Sequence, residues 1–165
     1  MKRVIISAAL AATAVGLSAC GFTPLYATPG VSTHLTAVQV VTPPGRTGQL
    51  IREHLDDALA RNKGVTPRYK MELALSETRY PRGVRVDNVA TRYEYVLTAN
   101  YTVTALPSGT PVKVGTTRVE VTYDSADQPY ASISAQQDAQ DRAAAEAARK
   151  IQLELAAWLA TSGKS

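Results

Sequence analysis

Between Thr91 and Ala105 the chain alternates in a way that suits a strand. Tyr93, Tyr95, Leu97, Ala99, Tyr101 and Val103 fall on one side, with Arg92, Glu94, Thr98, Asn100 and Thr102 opposite. Successive side chains of a strand point to opposite faces, so this segment predicts a long strand with one buried face and one polar face. Tyr69 to Thr78 repeats the pattern, with Tyr69, Met71, Leu73 and Leu75 on one face and Lys70, Glu72, Ala74 and Ser76 on the other. Leu106-Pro107-Ser108-Gly109-Thr110-Pro111 is turn chemistry, and Val112 to Tyr123 follows with Val119, Val121 and Tyr123 in register. A hairpin is expected there, with a bulge at Gly115.

Helical spacing occurs twice. Thr47 to Arg61 carries Leu50, Ile51, Leu55, Ala58 and Leu59 on one stripe, and Asn62 and Gly64 are expected to stop it in the left-handed conformation. Ser134 and Gln137 have the spacing of a capping box. The helix behind them is expected to reach about Ala160, with Ala139, Ala143, Ala147, Ile151, Leu155 and Leu159 at steps of four. Leu35 to Val41, closed by Pro43-Pro44-Gly45, suits a first strand.

The order β-α-β-β-β-α predicts an α+β fold: a mixed four-stranded sheet with two helices packed on one face. The first strand, helix and second strand form a parallel crossover, and the next two strands add as antiparallel meanders. The uncovered face reads Thr, Asn, Ser, Glu and Arg, which fits solvent or a polar cavity.

Ahead of this domain stands a secretory signal. Lys2 and Arg3 precede an apolar run from Val4 to Leu17, and Leu17-Ser18-Ala19-Cys20 has the form of a lipobox. Small residues let the backbone lie in a peptidase groove, and the thiol of Cys20, the sole cysteine, accepts a thioether-linked lipid. The expected organisation is signal peptide 1–19, lipidated tether 20–34, one domain 35–161 and a tail 162–165. A lipid at Cys20 with two or more acyl chains anchors stably. Gly21, rather than Asp, follows the cysteine, which by resemblance to sorted lipoproteins implies the outer membrane. No stretch reaches the roughly 20 apolar residues of a membrane-spanning helix.

The net charge of +4 falls to about +2 once Lys2 and Arg3 leave with the signal, so a basic surface for nucleic acid is not supported. One cysteine excludes an internal disulfide and a cysteine-rich zinc site, and no metal or cofactor is expected. No catalytic residues emerge either. The nucleophile-elbow pattern is absent, His34 lies in the tether, and His54 reads as a half-exposed helix residue. Asp56 and Asp57 point about 100° apart on a helix, and no glycine-rich phosphate loop occurs. The expectation is a protein that is not an enzyme.

Arginines stand out instead. Arg79, Arg82, Arg85 and Arg92 lie within fourteen residues and bracket a single acid, Asp87. Guanidinium forks suit phosphate, so these four are candidate contacts for a phosphorylated polyanionic ligand, with Lys113 and Arg118 as extensions. The bland alternative is a hairpin loop kept basic for solubility.

Cys20-Gly21-Phe22-Thr23-Pro24-Leu25-Tyr26 resembles the mature start of the lipopolysaccharide-assembly lipoprotein family LptE, in its alphaproteobacterial form. The element order and the closing Leu155-Ala156-Ala157-Trp158-Leu159 extend the likeness. The resemblance implies a small α+β plug inside the outer-membrane β-barrel LptD that helps assemble the barrel and binds lipopolysaccharide. It implies a place on the periplasmic side of the outer membrane and within the barrel lumen. An auxiliary lipoprotein of an ABC-type lipid transporter is the alternative, and an envelope-scaffold lipoprotein the third reading.

Overall fold

A computed structural model describes residues 30–84, 90–125 and 128–162. In chain order it contains α1 (Val31–Thr36), β1 (Val38–Val41), α2 (Arg46–Ala58), β2 (Tyr69–Val84), β3 (Ala90–Ala105), β4 (Thr110–Asp124) and α3 (Pro129–Ser162). The sheet order is β1-β2-β3-β4, with β1 parallel to β2 and the other pairs antiparallel. This is the expected mixed four-stranded α+β architecture.

The alternation of β2 and β3 sorts the molecule into two faces. On the covered face the cross-strand rows run Met71–Val103, Leu73–Tyr101–Gly115, Leu75–Ala99–Thr117, Glu77–Leu97–Val119 and Arg79–Tyr95–Val121. Met71, Leu97, Ala99 and Val103 are fully buried there. Ile51 and Leu55 of α2 and the Ala139, Ala143, Ala147, Ile151 and Leu155 stripe of α3 belong to the same core. Alanine in the first half of the long helix permits close approach, and the bulk arrives later, where Trp158 packs edge-on against Tyr69 at 5.6 Å.

Five local expectations change. The tether expected over 20–34 lies mostly outside the described residues, but its last residues are helical, and α1 buries Val31 and Leu35 in the core. The first strand therefore starts at Val38, not Leu35. The left-handed residue ending α2 is Ala60 (φ 48°), rather than Asn62 or Gly64. Ala60 N–H donates to the Asp57 carbonyl and Arg61 N–H to that of Asp56, the paired bonds of a Schellman motif. Asn62 instead closes a small turn, its Oδ1 accepting from Gly64 N–H at 2.9 Å. The long helix begins at Pro129, five residues ahead of the proposed Ser134 cap, because proline at the first helical position costs no backbone donor.

Gly115 is not a bulge. The register shift falls between Val103 and Thr104, opposite Lys113 and Pro111. Gly115 pairs with Tyr101, and a Cβ there would lie 2.3 Å from the Tyr101 ring. The missing side chain is the space the phenol occupies, and its hydroxyl donates to Glu154 of α3.

The outer edge of β4 is closed by side chains of α3. Lys150 Nζ donates to the Arg118 carbonyl at 3.2 Å and Arg142 Nη2 to the Thr122 carbonyl at 3.5 Å. Cations over edge carbonyls, like the short β1 on the other side, discourage strand addition.

Candidate functional site

The far end of the β2–β3 hairpin holds the arginines in an arrangement set by register. Arg82 lies directly opposite Arg92 on the open face. Like charges in that position repel, and each is neutralised by a carboxylate on a neighbouring strand. Arg82 Nε donates to Glu94 Oε2 at 2.6 Å, and Arg92 Nε to Asp124 Oδ1 at 2.7 Å. The Asp124 hydrogen bond and charge raise the Arg92 pKa further above its already high value. Gly83 (φ 63°) turns the strand beside them, and Thr91 Oγ1 donates to its carbonyl at 2.9 Å. Arg82, Gly83, Thr91, Arg92 and Asp124 together line an open depression.

Chemically, this is a pair of planar guanidinium groups held about one strand apart with no net charge. Each retains N–H donors beyond those spent on its carboxylate, since guanidinium carries five. Any added anion would have to compete with Glu94 and Asp124 for the pair.

The other candidates separate. Arg79 falls on the covered face, donates from Nη1 to Gln136 Oε1 of α3 at 2.8 Å and stacks 4.8 Å over Tyr93. Arg118 lies on the open face but three rows away, roughly 20 Å along the strand, where it pairs with Glu120 at 2.8 Å. Lys113 sits at the opposite end with Glu154 and Trp158. Arg85 lies outside the described residues, as do Leu17, Ser18, Ala19 and Cys20. Sequence reasoning missed Asp124, which lies 32 residues from Arg92 along the chain. The hairpin turn at 106–111 locates it only together with the one-residue register shift between Val103 and Thr104, since pairing from the turn alone would put Tyr123, not Asp124, opposite Arg92.

His54 Nε2 meets Asp141 Oδ1 at 2.9 Å, tying α2 to α3. No group of three or more His, Cys, Asp or Glu able to hold a metal occurs among the described residues. No described helix is long and apolar enough to cross a membrane.

The fold is thus a mixed four-stranded α+β sheet with helices over one face and a charge-balanced arginine pair at one end of the other. The family model LptE, described as lipopolysaccharide-assembly, matches residues 34–155, and the chain belongs to that family. The LptE family is not a cofactor-dependent one. A crystal structure from Caulobacter crescentus CB15, assigned as a lipoprotein, is 53% identical, with 82% of this chain and 98% of that chain covered and a TM-score of 0.71. The solution structure of an uncharacterized lipoprotein B from Nitrosomonas europaea is 14% identical, covers 74% of this chain and 85% of its own, and has a TM-score of 0.51; it shares the fold. No curated protein matches the sequence.

Proposed function

We propose that this chain is an outer-membrane lipoprotein, anchored through Cys20, that plugs an LptD-like β-barrel, assists its assembly and binds lipopolysaccharide. The observation that carries this is the open sheet face. Its rows run Glu72–Thr102–Val114, Ala74–Asn100–Thr116, Ser76–Thr98–Arg118, Thr78–Val96–Glu120 and Tyr80–Glu94–Thr122 before reaching Arg82–Arg92–Asp124. A polar face of hydroxyls, amides and paired charges suits the water-filled lumen of a large barrel, whose inner wall is polar. Sixteen-residue strands reach about 50 Å, longer than the ~25 Å apolar band of such a barrel. The tether from Cys20 to Gly30 spans at most about 40 Å, enough to join the inner leaflet to a lumen.

Within this reading Arg82 and Arg92 are the leading phosphate contacts, because they share one depression. In sequence Arg79 precedes them and Arg85 lies between them; Arg118 and Lys113 stand apart. Co-purification of the full-length lipidated protein tests the proposal. A large outer-membrane barrel as the tightest partner supports it. A substrate-binding transporter subunit in that place supports the ABC-transporter reading instead. Mass spectrometry of the same material should show acylated Cys20 as the first residue, and an unmodified N-terminus elsewhere removes the anchor.

A further inference from the structure

We propose that, while the lipoprotein is outside its barrel, the end of the domain carrying the 106–111 turn rests on the anionic lipid surface in which Cys20 is anchored. This depends on the anchor reading above and adds to it a defined orientation of the domain.

The chain enters the domain at this end. The Gly30 carbonyl accepts from His34 N–H at 2.9 Å, and the His34 ring lies 6.1 Å from that of Tyr69. Tyr69 opens β2 and pairs with Ala105, so Leu106 and the turn follow directly beside it. Leu106 N–H donates to the Arg68 carbonyl at 2.8 Å and Asn62 N–H to that of Thr36 at 3.3 Å, tying the turn, the 59–68 loop and α1 together. Trp158 of α3 packs on the same Tyr69. The start of α3 lies about 40 Å along that helix from Trp158, so a tether leaving Gly30 delivers this end to the bilayer first.

What this end presents matches a lipid–water interface. Val65, Leu106 and Val112 are 37–41% exposed there, on the loop, the turn and the start of β4. Trp158 and Lys113 line an open hollow beside them, and an indole ring favours the headgroup level of a bilayer. From Leu59 to Lys70 and from Ala99 to Thr117 the sequence carries Arg61, Lys63, Arg68, Lys70 and Lys113 and no acid. Acids of the adjoining elements are engaged: Asp56 faces Arg61 at 3.8 Å, Glu72 pairs with Lys70 at 2.7 Å, and Glu154 accepts from the Tyr101 hydroxyl. Among the described residues that leaves Asp57, in the last turn of α2, against Lys63, Arg68 and Lys113. Apolar side chains set among cations, next to the lipidated chain, are what holds a domain on anionic lipid. A second copy of the chain would set the same cations against one another.

Cys20 is the sole cysteine and carries the lipid in this reading, so Leu106→Cys supplies a single thiol for a fluorophore. Tyr130→Cys, at an 87% exposed position near the start of α3, supplies the control. Each full-length lipidated variant is reconstituted in phosphatidylcholine vesicles, with and without phosphatidylglycerol, that contain nitroxide-bearing lipids as quenchers. With phosphatidylglycerol present, the Leu106 probe should be quenched and the Tyr130 probe should not. Adding Lys63→Gln/Arg68→Gln/Lys113→Gln, or omitting phosphatidylglycerol, should remove most of that quenching, with melting temperature and vesicle retention unchanged. Failure of the protein to stay with the vesicles removes the anchor reading itself. Retention with the Leu106 probe quenched no more than the Tyr130 probe overturns the orientation alone. Quenching that survives the loss of charge overturns the assignment to anionic lipid. Self-quenching of the Leu106 probe that rises with protein density makes this end a contact between copies. Shielding of the probe only after a large outer-membrane barrel is added makes it a barrel contact, and either result overturns the proposal.

Discussion

The two faces of the sheet are written by the same strands yet obey different rules. On the covered face, position and volume are fixed together: Leu97 and Met71 are fully buried, and Gly115 is shaped around one phenol ring. On the open face, Thr98, Asn100 and Thr116 keep polarity and little else. Their one mutual bond, Thr116 Oγ1 to Asn100 Oδ1 at 2.8 Å, is exposed. The contrast teaches that stability lives on one side of this sheet, leaving the other free to be specified by what it meets. Val96 is the exception, an apolar residue on the open-face register that is nonetheless only 2% exposed, in a row between Thr78 and Glu120.

The sharpest test of that division is a neighbouring pair. Leu97→Ala should cost about 2–5 kcal/mol through lost transfer energy and a residual cavity. Thr98→Ala, one residue along and on the other face, should stay within about 0.5 kcal/mol. Equal losses in urea melts of the two variants would break the comparison. Gly115→Ala comes next. A methyl group forced against Tyr101 should destabilise by about 1–3 kcal/mol, the usual range for overpacking, although alanine is the smallest possible addition.

Tyr101→Phe should cost about 1 kcal/mol by leaving Glu154 without its donor, measurable as a shifted midpoint at unchanged slope. The same phenol gives a pH dependence. Burial first, then the Glu154 hydrogen bond and charge, raises the Tyr101 pKa, and burial with Glu77 does the same for Tyr95. In the unfolded chain both titrate near 10. Folded-state pKa values above unfolded ones mean the contribution is full below about pH 10 and is lost as pH rises beyond it. Tyr101→Phe should flatten that alkaline decline, and an unaltered profile would contradict the assignment. The smallest effect belongs to the open face. Arg92→Gln removes a solvent-exposed pair with Asp124 and should leave the urea midpoint essentially where it is, all the more so at high salt.

The legible part of this molecule was the part encoded by local period. Alternation placed Met71, Tyr95, Leu97 and Tyr101 on the buried face because a strand has only two sides, and the core decides which one is apolar. Steps of four did the same for Ala139 through Leu159. Endings were less legible, since they depend on what the chain meets in space. Ala60 adopts the left-handed turn although Asn62 and Gly64 lie close by, because the flanking Leu59 is held in the core at 1% exposure. Gly115 looked like a bulge because glycine in a strand has two meanings, and only the opposite residue tells them apart. The arginine cluster was half legible. Its membership came from the sequence, but three-residue spacing sends Arg79 and Arg82 to opposite faces, and Asp124 arrives from another strand.

The two α3 cations over the β4 edge matter most for a chain held on a surface. Under the proposed lipid anchor, copies would be confined to two dimensions, where they would collide far more often than in the same volume of free solution. An open fifteen-residue edge strand would meet its twin repeatedly and could zip with it into a growing ribbon. Lys150 and Arg142 occupy two of the carbonyls that such a ribbon would need, so the zip would be interrupted where it has to pass the middle of the strand.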